Sequence, residues 1–288
     1  MIFVTGLGKP EGPVLLPDAS WALVEMDPQR GCITHIDANG KTRRVIAKTG
    51  RPNGLAIDRN GILWVAESVN PPSLLRVTMD GKAEVVMTEC NGEPFLFPND
   101  LCFGPDGALY MTDSGFSAKK WMTFSPEQKR NTKTDGRIYR IEVKKKIIEK
   151  LDSAIPFANG IAFGPDGNLY VSATRSGMIY CYRCKAARLG QREDFASVLN
   201  PEMGDAYRGP DGMAFDENGN LYVAVVWQGD VTVIDPDGKT IRRIPLAGKG
   251  PTNVAFGPPG SKKIYVTEQS VGQFEVHDVG ADGMPLFN

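Results

Sequence analysis

Histidine is nearly missing from this sequence: His35 and His277 are the only two in 288 residues. That scarcity argues against a Ser-His-Asp hydrolase and against a histidine-rich zinc centre, because both need imidazoles at defined positions. No GxSxG elbow, HExxH motif or Walker-type phosphate loop occurs either. Cysteine is scarce as well. Its five copies, Cys32, Cys90, Cys102, Cys181 and Cys184, are too few and too odd in number for a disulfide framework. A reducing cytosol suits that usage, and the start MIFVTGL carries neither the basic region nor the long apolar stretch of a signal peptide. No apolar run approaches the roughly 18 residues of a membrane-spanning helix. Charge of one sign is not in excess, since 33 Lys and Arg face 34 Asp and Glu. That balance gives no reason to expect nucleic acid or an anionic membrane as a partner. These absences lead to the expectation of a cytoplasmic protein, one domain over residues 1–288, acting on a small molecule.

What the chain does have is punctuation. Glycine (32) and proline (21) are frequent, and they separate short apolar runs in a pattern that recurs six times. The clearest copies are PNGLAIDRNGILWVAES from Pro52, PNDLCFGPDGALYMTDS from Pro98, ANGIAFGPDGNLYVSAT from Ala158 and PDGMAFDENGNLYVAVV from Pro210. Looser copies start at Pro10 and Pro251. Each reads as two strands joined by an Asn-Gly or Asp-Gly turn, in which glycine takes the positive φ that the turn requires. Two more strand-like runs follow each pair, so one repeat is a four-stranded antiparallel meander. Six meanders at a period of roughly 45 residues predict an all-β, six-bladed propeller. The sixth repeat lacks its fourth strand, and IFVTGL at the N-terminus is predicted to supply it. The third repeat is lengthened by a polar, basic stretch between Ser114 and Asp135, read as a long loop with a short helix and a candidate lid over one mouth of the channel.

Aligning the repeats exposes one column, the residue just after each opening Pro or Ala: Glu11, Asn53, Asn99, Asn159, Asp211 and Thr252. All six bear oxygen, and in a propeller they face the axis together. Turn chemistry accounts for an Asn before Gly. It does not account for Glu11, or for two carboxylates among three amides. Two carboxylates in a narrow channel repel, and a divalent cation removes that cost. Oxygen-only donors suit Ca²⁺ first, then Mg²⁺ or Mn²⁺, with Zn²⁺ or Fe²⁺ as further alternatives. The CYRC run from Cys181 to Cys184 looks like a metal knuckle, but it lies within a strand and has no second CxxC partner.

The ordered set PNDL…GPDGALYMTD, ANGIAFGPDGNLYV and GPDGMAFDENGNLYVA resembles the senescence marker protein/gluconolactonase family, whose branches include regucalcin, gluconolactonases and diisopropylfluorophosphatase. The resemblance spans nearly the whole chain and is strongest from Arg51 to Val226. It implies a catalytic divalent metal bound through Glu11, Asn159 and Asp211, with Asn99 on the metal or the substrate. Two positions depart from the family. Phe97 stands where sugar-lactone members often carry Arg, which makes the pocket more apolar. Thr252 and Asn253 stand where the fluorophosphatase branch has a His.

The resulting expectation is a metal-dependent lactonase or esterase. In it Asp211 takes the proton of the attacking water, Asn99 orients the substrate or completes the metal shell, and Phe97, Arg175 and Trp227 contact the substrate. The remaining candidates near the ends of the second strands are Glu67, Asp113 and Glu268, each of which also reads as a rim residue. Two other functions use the same column: a phosphotriester or fluorophosphate hydrolase, and a calcium-binding scaffold without enzymatic activity.

Overall fold

The structure is a computed structural model describing residues 1–185 and 188–287. It has six four-stranded antiparallel sheets, the first five each a meander in chain order from the axis outward. The innermost strands are Pro10–Leu15, Pro52–Ile57, Pro98–Phe103, Ala158–Phe163, Gly209–Phe215 and Pro251–Phe256. Each packs against the innermost strands on either side, and the first packs against the sixth, which closes the ring. The sixth sheet is completed by Ile2–Thr5, which pairs outside Gln273–Asp278. Val4 and Leu7 from this segment enter a buried cluster with Trp21 and Phe274. Both ends of the chain thus share one blade, as the missing fourth strand predicted.

The turns form for the reason read from the sequence. Gly61 and Gly107 adopt φ of 75°, a conformation that glycine occupies without strain. The acid three residues before Gly61 ties its loop down: Asp58 Oδ1 accepts from the Asn60 and Ile62 amides at 2.8 and 3.1 Å. No blade buries its own faces. The apolar side chains collect in six clusters, one at each seam between neighbouring blades, so removing a buried Leu such as Leu63 or Leu109 would cost about 2–5 kcal/mol at a seam. Cys181 lies in the seam between the fourth and fifth blades and Cys184 borders the seam between the third and fourth. The CYRC run therefore points its two thiols to opposite faces, and all five cysteines are free.

A seventh cluster lies off the seams. It forms under the insertion of the third repeat, which folds as two short helices, α1 (Ala118–Trp121) and α2 (Pro126–Asn131). The sequence suggested one helix. The second is set by a capping box, in which Ser125 accepts from the Gln128 amide and Gln128 accepts from the Ser125 amide. Trp121 stacks on Phe157 with centroids 4.4 Å apart, and Phe157 meets Phe97 edge-on at 5.6 Å. The insertion is thus a packed roof beside the axis.

Candidate functional site

In every blade the pairing of the two innermost strands shifts register just after the opening residue, for example between Pro98 and Leu101 and between Pro210 and Met213. Such a bulge lets consecutive residues turn toward the same side. The column of Glu11, Asn53, Asn99, Asn159, Asp211 and Thr252 reaches the axis, and so does the position that follows each. Those following residues are Gly12, Gly54, Asp100, Gly160, Gly212 and Asn253. Four are glycine because no side chain fits: a Cβ on Gly54 would meet Asp100 Oδ1 at 2.5 Å, and one on Gly212 would meet Asn253 at 2.0 Å. The two exceptions, Asp100 and Asn253, meet in the space the glycines leave. Asn253 Nδ2 donates to Glu11 Oε1 at 2.8 Å and reaches Asp100 Oδ2 at 3.4 Å. The sequence reading missed Asp100 in this role. The signal was present as a second column with glycine at four of six places, but alternation along a regular strand would have pointed that column away from the axis.

The amides are oriented by hydroxyls at the ends of the second strands. Ser114 Oγ donates its one proton to the Ala158 carbonyl at 2.9 Å, so it can only accept from Asn99 Nδ2, at 2.8 Å. Thr174 Oγ1 donates to the Pro210 carbonyl and accepts from Asn159 Nδ2, at 2.8 and 3.0 Å. Both amides therefore turn their nitrogens outward, leaving Asn99 Oδ1 and Asn159 Oδ1 as the inward atoms. Asn159 Oδ1 is buried without a hydrogen-bond partner, and so is Glu11 Oε2. Thr252 behaves differently from the rest of its column. Its hydroxyl is spent on the Pro10 carbonyl at 2.8 Å, fastening the sixth blade to the first.

Burial dominates the electrostatics. It raises the proton affinities of Glu11 and Asp211 well above the usual carboxylate range, and the neighbouring Asp100 raises both further. Asp100 itself is pushed up to about 7, again by burial. Three buried acids around one axis are costly when all are ionised.

Above them lies a cavity of about 600 Å³. Its floor includes Glu11, Asn99, Asn159 and Asp211; its walls include Phe97, Phe157, Trp121 and Trp227; three cations, Lys9, Arg51 and Lys129, line it as well. Phe157 and Trp227 hold φ of 63° and 65°, a conformation that costs a bulky residue about 1 kcal/mol or more. The structure brings six of the seven expected site residues to this cavity or its wall. Arg175 is the correction. Its Nε and Nη2 donate to the Lys129 and Arg130 carbonyls at 3.1 and 2.6 Å, so it clamps the end of α2 and is not among the lining residues. The second-strand acids are also engaged elsewhere: Asp113 accepts from the Leu96, Phe97 and Gly115 amides, and Glu268 from the Gly250 and Val271 amides. Both histidines lie outside the cavity, His35 on Ser20 and His277 on Glu275.

Among the described residues no three His, Cys, Asp or Glu side chains come together as a metal cage, so a cation here must draw on amide oxygens too. The donors fit that demand. Two carboxylates and two amide oxygens face one floor, and two of those oxygens are buried acceptors with no donor. An unpaired buried acceptor costs about 1–3 kcal/mol, and a hard divalent cation satisfies such oxygens without the His or Cys that a zinc site usually shows.

Residues 10–270 match the family described as SMP-30/Gluconolactonase/LRE-like region. The chain is 30% identical over 289 residues to diisopropyl-fluorophosphatase of Loligo vulgaris, an alignment covering 92% of this chain and 88% of that one. It is 25% identical over 279 residues to gluconolactonase of Zymomonas mobilis, covering 91% and 76%. Among solved structures, a calcium-binding regucalcin from Agrobacterium tumefaciens superposes with a TM-score of 0.78 at 20% identity, covering 100% of this chain and 99% of that one.

Proposed function

The chain belongs to the SMP-30/gluconolactonase/LRE-like family, and from that premise we propose that it is a metal-dependent hydrolase of small cyclic esters, a lactonase. One observation carries the reading: Glu11 Oε2 and Asn159 Oδ1 are buried acceptors with no donor, on the floor of a cavity they share with Asn99 and Asp211. The gluconolactonase and lactonase names among the relatives support the substrate class.

A divalent cation held by Glu11, Asn99, Asn159 and Asp211 would supply Lewis-acid polarisation of the ester carbonyl and stabilise the developing oxyanion. The chain does the rest. Asn99, fixed by Ser114, and Asn159, fixed by Thr174, hold their oxygens inward without rearrangement. Such preorganised dipoles cost no reorganisation during the reaction. Asp211, whose proton affinity burial raises, is suited to take a proton from water as the water oxygen bonds to the carbonyl carbon. The acyl carbon–ring oxygen bond then breaks, and the proton passes to the departing alkoxide, so one water is consumed and one hydroxy acid is formed. The Trp121, Phe157 and Phe97 cluster shields this floor from bulk solvent.

A second reading keeps the site and changes the electrophile to phosphorus. Its support is the diisopropyl-fluorophosphatase relative and the apolar Phe97 in the wall. The test is acid release by metal-stripped protein on a panel of sugar, aliphatic and aromatic lactones, with Ca²⁺, Mg²⁺, Mn²⁺, Zn²⁺ or Fe²⁺ restored in turn and a fluorophosphate included. Cation-dependent release on one lactone class supports the proposal. Release from the fluorophosphate alone moves the protein to the second reading, and no release from folded, loaded protein refutes both.

A further inference from the structure

Arg51 is the least accounted-for side chain around the cavity. It sits one residue before the second blade, half-buried, with its guanidinium carbon 5.3 Å from the Phe97 ring centroid. Among the described residues its side-chain hydrogen bonds are weak for an arginine: Nη1 to Ser68 Oγ and Nη2 to Met26 Sδ, both at 3.3 Å. Glu67, Glu11 and Asp211 attract it only from a distance. None of them is in the ion-pair contact that a buried guanidinium fork ordinarily finds.

Two other cations converge on the same space. Lys129 is carried in by α2, whose end Arg175 clamps, and Lys9 comes from a residue at φ 52°. They are not neutralised by each other: burial, then Arg51 and Lys9, all disfavour the charged form of Lys129. The lining holds two carboxylates, Glu11 and Asp211, against three bases. A divalent cation would take up the charge of both lining acids, leaving the three bases facing the cavity, with Asp100 below the floor and Glu67, which already accepts from the Arg51 amide, as the remaining nearby acids. The aromatic part of the lining, Phe97, Trp121 and Trp227, lies beside these bases: Arg51 rests over Phe97, and Lys129 lies 6.0 Å from the Trp121 centroid.

We propose that the substrate is an amphipathic anion: it carries a carboxylate-like group gripped by Arg51 with Lys129 beside it, and an aromatic or aliphatic body laid against Phe97 and Trp121. This deepens the lactonase reading and rests on it for the identity of the cavity as the substrate site. A neutral, polyhydroxylated sugar lactone would leave the arginine unanswered and present hydroxyls to aromatic walls.

The test is binding, which needs no turnover. Phenylacetate and its neutral counterpart phenylacetamide are titrated into calcium-loaded protein, followed by the fluorescence of Trp121 and Trp227, which line the cavity. In the native protein phenylacetate binds about tenfold tighter than the amide, as a charge-assisted contact predicts. Arg51→Gln abolishes that preference and leaves phenylacetamide affinity within about twofold, whereas Arg51→Lys keeps part of the preference because it keeps charge and loses the fork. Lys129→Gln lowers it by about threefold, as loss of a more distant charge should. Equal affinity for the two probes in the native protein, a preference that survives Arg51→Gln, or no binding of either probe overturns the proposal. A preference that disappears on chelation yet ignores Arg51→Gln overturns it too, because the cation then grips the carboxylate. If the lactone panel fails while the Arg51-dependent preference holds, the reaction assignment falls and the ligand class stands.

Discussion

Two sets of buried acids share one end of this propeller, and they are treated in opposite ways. Asp113 and Glu268, at the ends of second strands, are enclosed by amide donors: Asp113 accepts three backbone N–H groups and Glu268 two, with the Ser270 hydroxyl at 2.6 Å in addition. Glu11, on the axis beside Asp211, has too few donors. Glu11 Oε2 has none, and both acids are crowded by Asp100. The difference lies in the backbone around each acid. Loops that wrap a second-strand end present N–H groups inward, whereas bulged inner strands present side-chain oxygens. One set fastens loops to blades; the other, on the proposed reading, would be balanced by a bound cation.

The comparison can be broken by removing charge from each set in turn. Asp211→Asn should lower lactone hydrolysis about a thousandfold, with a thermal midpoint no lower than that of the native protein; a large drop in midpoint would place Asp211 among the structural acids. Glu268→Gln should do the reverse and cost about 2 kcal/mol of stability by chemical denaturation, because the new amide cannot accept as the carboxylate does. Its activity per folded molecule should stay near the native level, and a hundredfold loss would erase the distinction. Ser114→Ala should sharpen the picture. With no hydroxyl to hold Asn99 Nδ2, cation affinity should fall about tenfold, as loss of an orienting partner does, while unaltered affinity would mean that the Asn99 oxygen takes no part.

The last test concerns pH. In metal-stripped protein the folded state holds a proton on Asp100 up to about 7, while the unfolded chain gives it up near 3.9. The folded form then binds more protons than the unfolded one, so stability falls as pH rises from about 4 to about 7. The midpoint should decline by several degrees across that window, and Asp100→Asn should lessen the decline without abolishing it, because burial raises Glu11 and Asp211 in the same direction. A midpoint that rises over this range in stripped protein would contradict the account.

Much of this was legible beforehand, and for identifiable reasons. Asp-Gly and Asn-Gly turns between apolar runs betray hairpins regardless of context, and six of them in order leave few alternatives to a propeller. The axial column was legible because the same repeat position faces the same way in every blade. Asp100 was not, because a strand is read as alternating and the bulge between Pro98 and Leu101 cancels the alternation locally. Arg175 was misread for a related reason: its place at a second-strand end suggested the cavity, but the insertion folds over it and its donors go to the carbonyls of Lys129 and Arg130. Arg51 gave no signal at all, since one arginine before a Pro-Asn-Gly turn is indistinguishable from a solvated one until the roof is in place.

The central claim is that the axial oxygens hold one divalent cation. It is tested most directly by calorimetric titration of Ca²⁺ and Mn²⁺ into stripped native protein and into Glu11→Gln and Asp211→Asn. The account predicts one site per chain in the native protein, proton release on binding near pH 6 as the buried acids ionise, and loss of the site in both variants. No binding to folded native protein, or a site indifferent to both substitutions, would contradict it.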